Sequence, residues 1–251
     1  MLARVINRVY NYVNICFKGG NCMRKTYIDN LRIFVSILVV IYHVIWIFNG
    51  VQQYGPAMIA TEFRGQDALL YFLYPWFMCI FFMISGMSAK WFLDNHTEKE
   101  FLSARTNKLL VPSTIGVLLF GWIQGYVNMK LGGAFENMPE IPAFINFIIM
   151  DLSGIGVLWT MQMLWLFSVL LLVVRKIEKG KFVELCKNAN LIIIILLGVF
   201  AWLFAQILNT PVIAVYRFGI YGFCFFAGYF VFCHDDVIFR LEKFCIPLLA
   251  V

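Results

Sequence analysis

Six long apolar stretches constrain the fold of this 251-residue chain more than any other feature, because each is long enough to cross a membrane as a helix. With 62% hydrophobic and only 14% charged residues, the chain has more apolar surface than one soluble core can bury. The stretches are continuous and do not alternate with period two, which favours helices over a β-barrel. We therefore predict an all-α, polytopic transmembrane helical bundle with six complete spans, at residues 31–48, 74–92, 110–128, 155–174, 191–208 and 212–232.

Three other segments are not complete spans. A seventh span begins near Phe244 and stops at Val251, and residues 141–150 are too few to cross, so we expect an interfacial or re-entrant piece there. Residues 1–23 are expected either to form a short cytoplasmic N-terminal arm or to lie upstream of the true start at Met23, and we favour the second. Residues 24–251 form the predicted transmembrane domain.

The basic residues predict the orientation of the bundle. Of the 20 Lys and Arg residues, 17 fall in the N-terminal segment and the alternate inter-helix segments, and the other three are Arg64, Lys130 and Arg217. This asymmetry predicts a cytoplasmic N-terminus, and it makes the net charge of +6 poor evidence for nucleic-acid binding. Arg217 is expected either to face a cavity or to snorkel outward, and we favour the second. The three histidines are far apart in sequence, so no zinc site is expected.

One face of the first span is polar from its cytoplasmic edge to beyond the membrane midplane. Arg32 and His43 are eleven residues apart, so they share a helix face and are about 16 Å apart along the axis. Asp29 and Ser36 lie near the same stripe. A histidine within a span marks a functional site by default, and a neutral imidazole can accept a proton. Arg32 taken alone is typical of a topology anchor.

Two further motifs follow along the chain. Phe82, Ser85 and Gly86 lie in the second span, where small residues let helix backbones approach closely. Arg105 and Lys108 are three residues apart at the cytoplasmic boundary, so they are expected to share a helix face. Such a pair either holds a phosphate-rich ligand or belongs to the ordinary positive collar of a membrane protein.

Taken together, these motifs resemble the acyltransferase 3 family of multi-span membrane O-acyltransferases, and within it the branch related to glucan-modifying succinyltransferases. The resemblance covers about residues 24–130 well and continues loosely beyond them. It is carried by Tyr27-Ile-Asp-Asn-Leu-Arg32, His43, Phe81-Phe82-x-x-Ser85-Gly86, Arg105-x-x-Lys108 and Leu110-Val-Pro112. Family members have more spans than six, so the resemblance implies that this chain is truncated at its C-terminus.

The resemblance also implies roles for these residues. His43 would be the essential base or acyl relay, Arg32 would orient the donor or its phosphates, and Asp29, Phe82, Ser85 and Gly86 would be the supporting motif. Arg105 and Lys108 would take the two positions of the family's Arg-x-x-Arg pair, although a lysine keeps the charge without the bidentate fork. The family's histidine before the Leu-Trp of the fourth span is Val157 here.

The activity implied is transfer of an acetyl or succinyl group from cytoplasmic acyl-CoA, as co-substrate, to a hydroxyl of a cell-surface glycan, lipid or related acceptor. No bound cofactor, metal or nucleic acid is expected, and the location implied is the bacterial plasma membrane, among membrane lipids. One alternative is a transporter or flippase that uses His43 as a proton relay. Another is a structural membrane subunit, in which His43 and Arg32 are replaceable.

Overall fold

The computed structural model describes residues 26–47, 65–131, 135, 142–207 and 217–243, which are mostly helical and include no strand. One long helix, Glu98–Lys130, contains two π-helical turns, Thr106–Leu110 and Val117–Gly121. The helices in chain order are α1 Thr26–Ile47, α2 Gly65–Asn95, α3 Glu98–Lys130, α4 Ala143–Ser153, α5 Trp159–Glu178, α6 Lys181–Lys187, α7 Leu191–Gln206, α8 Phe218–Phe230 and α9 Asp235–Lys243.

The described residues contain four helices long and apolar enough to cross a membrane: α1, α2, α3 and the segment Gly156–Glu178 that includes α5. A fifth span results if α8 and α9 are counted as one, although they are bent by 106°. The described residues are therefore all-helical, and the chain is a multi-pass membrane protein, as the apolar stretches predicted. At the fifth predicted span, α7 is shorter than a membrane span, and at the sixth, α8 is long enough only together with α9, so six complete spans remain a prediction. The seventh stretch lies outside the described residues.

Helix α2 is the centre of the bundle, packed against α1 on one side and α8 on the other. The ring of Phe82 is fully buried there. It stacks on Tyr221 with ring centroids 4.8 Å apart, and it also meets Phe167 at 5.7 Å and Trp159 at 6.3 Å. These aromatic side chains join α2, α5 and α8 into one apolar core.

Two glycines let the backbones of α2 and α8 come into direct contact. A Cβ atom added at Gly86 would lie 1.9 Å from the carbonyl oxygen of Phe225, and one added at Gly228 would lie 2.0 Å from that of Met83. Helices in lipid gain stability from such close packing, since burial of apolar surface from water is not available to drive their association. Glycine at these positions therefore fixes the separation of the two helices.

The re-entrant piece expected at residues 141–150 corresponds to α4, which packs against the second half of α3. The helices touch through glycines: a Cβ at Gly125 would lie 1.7 Å from the carbonyl oxygen of Met150. A short irregular turn at Gly154 then leads into α5. With only 11 residues, α4 is too short to cross a membrane by itself.

The Gly86→Ala substitution should destabilise the bundle, because the new methyl group meets backbone that cannot move aside without separating α2 from α8. We expect the free energy of unfolding to fall by about 2 kcal/mol or more, measured in detergent micelles. Gly198→Ala on α7 is the matched control, since nothing lies within 4 Å of the added atom and alanine favours helix. Equal effects of the two substitutions would contradict the close-packing argument.

Candidate functional site

The imidazole of His43 is held in one orientation by its own helix. Its Nδ1 atom lies 2.7 Å from the carbonyl oxygen of Val39. Because a carbonyl oxygen only accepts hydrogen bonds, Nδ1 is the donor, and in a neutral ring Nε2 then keeps its lone pair. The ring is half-buried and meets Tyr42 edge-on with centroids 5.4 Å apart. His43 thus has a basic nitrogen available at a fixed position on α1.

Arg32 joins α1 to α2. Its Nη2 atom donates a hydrogen bond of 2.6 Å to Oγ of Ser88, and its Nη1 atom lies 3.4 Å from Oδ1 of Asp29. The hydroxyl of Ser88 in turn donates to the carbonyl oxygen of Ile84. The guanidinium is therefore directed toward α2.

A second guanidinium lies near the first. Arg105 on α3 is half-buried, with its Cζ atom 5.1 Å from the ring centroid of Phe101, and it is close enough to Arg32 for the two charges to repel each other. The carboxylate of Asp29 lies within ion-pairing distance of Arg32, with Oδ1 3.4 Å from Nη1. Two adjacent cations beside one acid make an environment that favours an added anion.

Lys108 has a different environment from Arg105, because the π-helical turn Thr106–Leu110 begins directly after the arginine. Hydrogen bonds from i to i+5 widen that turn, so residues three apart diverge more than they do on an α-helix. Lys108 is exposed whereas Arg105 is half-buried. Thr106 accepts a hydrogen bond of 3.0 Å from Nε1 of Trp165, which ties the turn to α5.

The supporting motif of α2 has packing roles in the structure. Phe82 is the centre of the aromatic core, and Gly86 makes the close approach to α8. Ser85 is buried and donates to the carbonyl oxygen of Phe81 in its own helix. These residues therefore fix the position of α2, and through Ser88 on the same helix they fix the position of Arg32.

A group of residues that sequence reasoning did not bring together lies near His43. We call Tyr42, Tyr74, Tyr221 and Arg217 the tyrosine–arginine cluster. Tyr42 and Tyr74 stack with centroids 5.8 Å apart, and the Cζ atom of Arg217 lies 4.7 Å from the ring centroid of Tyr74. The phenols of Tyr74 and Tyr221 interact with each other, and all three phenols are within electrostatic reach of Arg217.

The cluster corrects the expectation that Arg217 snorkels outward, since its guanidinium covers an aromatic ring of α2. The sequence offered one signal for this group. Arg217 comes directly before an apolar run, and Tyr221 follows it four residues, or about one helical turn, later. Tyr42 and Tyr74 belong to helices distant in sequence, so their proximity has no local signature.

Two other polar features lie apart from the predicted site residues. A cavity of about 400 Å³ has charges of both signs, and it is lined by Lys90, Asp94, Glu98, Arg175, Glu178 and Tyr229, among others. On α4, the buried carboxylate of Asp151 has an Oδ1 atom without a hydrogen-bond partner in the described part of the chain. Neither feature includes a residue of the Arg32–His43 face.

Comparison with known proteins identifies a family. A family model described as an acyltransferase domain, that of the acyltransferase 3 family, matches residues 25–251, which is most of the chain. The searches of curated proteins and of solved structures found no match.

The hydrogen bond between Arg32 and Ser88 predicts an energetic coupling between α1 and α2. In a double-mutant cycle, Arg32→Gln combined with Ser88→Ala should show a coupling free energy of about 1 kcal/mol in unfolding measurements. Ser85→Ala is the matched control, because Ser85 also donates to its own helix but does not contact Arg32. A coupling as large with Ser85 as with Ser88 would argue against the contact.

Proposed function

The chain belongs to the acyltransferase 3 family and is a membrane acyltransferase, and from that premise we propose that it moves an acyl group from cytoplasmic acyl-CoA to a hydroxyl group. The acceptor in this proposal is a glycan, lipid or related molecule at the cell surface. The observation that carries the proposal is the arrangement of α1, where a histidine with a basic Nε2 atom shares a helix face with an arginine that contacts a neighbouring helix.

The proposed topology has six complete spans and a cytoplasmic N-terminus in a bacterial plasma membrane. The asymmetry of the 20 Lys and Arg residues supports this orientation. Under it, the beginning of α1, the end of α2 and the beginning of α3 all lie on the cytoplasmic side. Arg32 and Arg105 would then face the compartment that holds acyl-CoA.

We propose that the phosphates of the donor bind between Arg32 and Arg105. Two guanidinium groups that repel each other gain from a shared anion, and a guanidinium binds phosphate through paired N–H donors. His43 is about 16 Å farther along α1 from Arg32. The extended pantetheine arm of coenzyme A places the thioester at some distance from the phosphates, which suits a reactive carbonyl near His43.

The chemical step follows from the tautomer of His43. Nε2 takes the proton of the acceptor hydroxyl. The hydroxyl oxygen attacks the thioester carbonyl carbon at the same time, so a C–O bond forms. The tetrahedral intermediate then collapses, the C–S bond breaks and the ester remains on the acceptor. The imidazolium returns its proton to the departing thiolate, which leaves as free coenzyme A. The helix carbonyl of Val39 stabilises the imidazolium through its contact with Nδ1–H.

The His43→Gln substitution should reduce acyl transfer by at least about a thousandfold, because the amide cannot accept the proton. Transfer is measured in membrane vesicles from the release of coenzyme A thiol and the mass of acylated cell-surface glycans. The protein level should be unchanged.

His96→Gln is the matched control for this substitution. The imidazole of His96 makes the same contact with its own helix, 3.1 Å from the carbonyl oxygen of Phe92, but it is exposed at the end of α2. Full activity of the His43 variant would refute the role of the base. Export of unmodified substrate that requires His43 would instead indicate a transporter.

Arg105 and Lys108 should differ in their contribution to donor binding, because Arg105 is half-buried near Arg32 whereas Lys108 is exposed. We expect Arg105→Gln to raise the KM for acyl-CoA about tenfold or more, which is equivalent to about 1.4 kcal/mol. Lys108→Gln should raise this KM about threefold or less. The measurement is the initial rate as a function of acyl-CoA concentration. Equal effects would indicate a diffuse positive collar rather than a phosphate site.

A further inference from the structure

The tyrosine–arginine cluster lies at the end of the bundle opposite Arg32. Tyr42 comes next to His43 on α1, and it also packs against Phe77 of α2 with centroids 5.1 Å apart. Tyr74 is fourteen residues before Ser88 on α2. Since α1 and α2 run in opposite directions, these positions place Tyr42 and Tyr74 at about the level of His43, far from Arg32 along the bundle.

The tyrosines of the cluster come from three helices, α1, α2 and α8, and Arg217 directly precedes α8. Tyr221 is buried, and its ring is stacked on Phe82, which fixes its position. The other two tyrosines and Arg217 are half-buried, so they still present surface. Three phenols from separate helices and one guanidinium therefore converge on one place rather than lining a single helix face.

The contact of Arg217 with Tyr74 leaves the hydrogen-bonding edge of the guanidinium available. A ring face attracts the positive charge but accepts none of the five N–H donors in the usual geometry. Each phenol adds an O–H donor. These N–H and O–H donors are half-buried and carry a net positive charge, so they are suited to bind a ligand with an anionic oxygen. The flat tyrosine rings are suited to packing against a sugar.

We propose that the tyrosine–arginine cluster is the acceptor subsite, and that the acceptor carries an anionic group, a carboxylate or a phosphate, near the hydroxyl that receives the acyl group. This inference rests on the proposed acyl transfer, in which the acyl donor binds at the end of the bundle that contains Arg32. The acceptor would then bind at the opposite end. Arg217 binds the anionic group, and the phenols orient the sugar hydroxyl toward Nε2 of His43.

Ligand binding to the full chain in lipid nanodiscs tests the proposal without requiring turnover. The probes are glucuronate, glucose 1-phosphate and glucose, each compared at equal ionic strength with acetate and inorganic phosphate. An anionic sugar at about ten times its dissociation constant should raise the midpoint of thermal unfolding by about 2 °C or more, and glucose should not. A larger increase of this midpoint with glucuronate indicates a carboxylate on the acceptor, and a larger increase with glucose 1-phosphate indicates a phosphate.

Arg217→Gln should abolish this stabilisation. Lys130→Gln is the matched control, because Lys130 also lies over a tyrosine ring, 5.7 Å from the centroid of Tyr126, but both residues are exposed. Tyr74→Phe keeps the ring and removes the hydroxyl, so it should weaken binding several-fold even if the arginine variant fails to fold. His43→Gln should keep the stabilisation, since binding does not need the base.

These outcomes separate the two proposals. If His43→Gln loses acyl transfer but still binds the anionic sugar, the result supports both the acyl transfer and the acceptor subsite. If the unsubstituted protein binds the sugar in a way that depends on Arg217 but shows no acyl transfer, the result supports the acceptor subsite alone. The subsite is refuted if glucose stabilises the protein as much as glucuronate does. It is equally refuted if no sugar stabilises the protein, or if the Arg217 variant retains the effect or the Lys130 variant loses it.

Discussion

The hydrogen bond from Arg32 to Ser88 is the contact on which the arrangement of the site depends. Helix α1 exposes most of its apolar side chains, and its buried face is a narrow stripe that includes Ile28 and Val35. Apolar packing by itself would let such a helix rotate or slide in lipid at little cost, because lipid and side chains are equally apolar. A charged donor with one acceptor on α2 fixes the rotation of α1, and with it the direction of His43.

Helix α2 combines this polar contact with close backbone packing against α8. Gly86 brings α8 to backbone contact, and Phe82 closes the aromatic core between α2, α5 and α8. The rigid face of α2 toward α8 is therefore what positions Ser88 toward α1. This explains how one short motif of a phenylalanine, a serine and a glycine supports the site through packing and through a hydrogen bond within its own helix.

The sequence was informative where the structure depends on local geometry. The phase of Arg32 and His43 follows from the pitch of one helix, and the apolar stretches predicted the all-helical membrane class. The pair Arg105 and Lys108 was less predictable, because the π-helical turn that separates their environments is packed against Trp165 of α5. Arg217 was expected to snorkel, since nothing near it in sequence shows that Tyr74 lies beneath its guanidinium.

The distribution of polar groups along the bundle gives a reason for the aromatic residues between them. Guanidinium groups lie at both ends, Arg32 and Arg105 at one and Arg217 at the other, and rings of Phe77 and Phe82 pack in the core between those levels. A thioester that reaches His43 would react with water if water had equal access. In the proposed reaction, this apolar core between the two ends would limit the access of water and strengthen each hydrogen bond to the developing charge, which would favour the acceptor hydroxyl as the nucleophile.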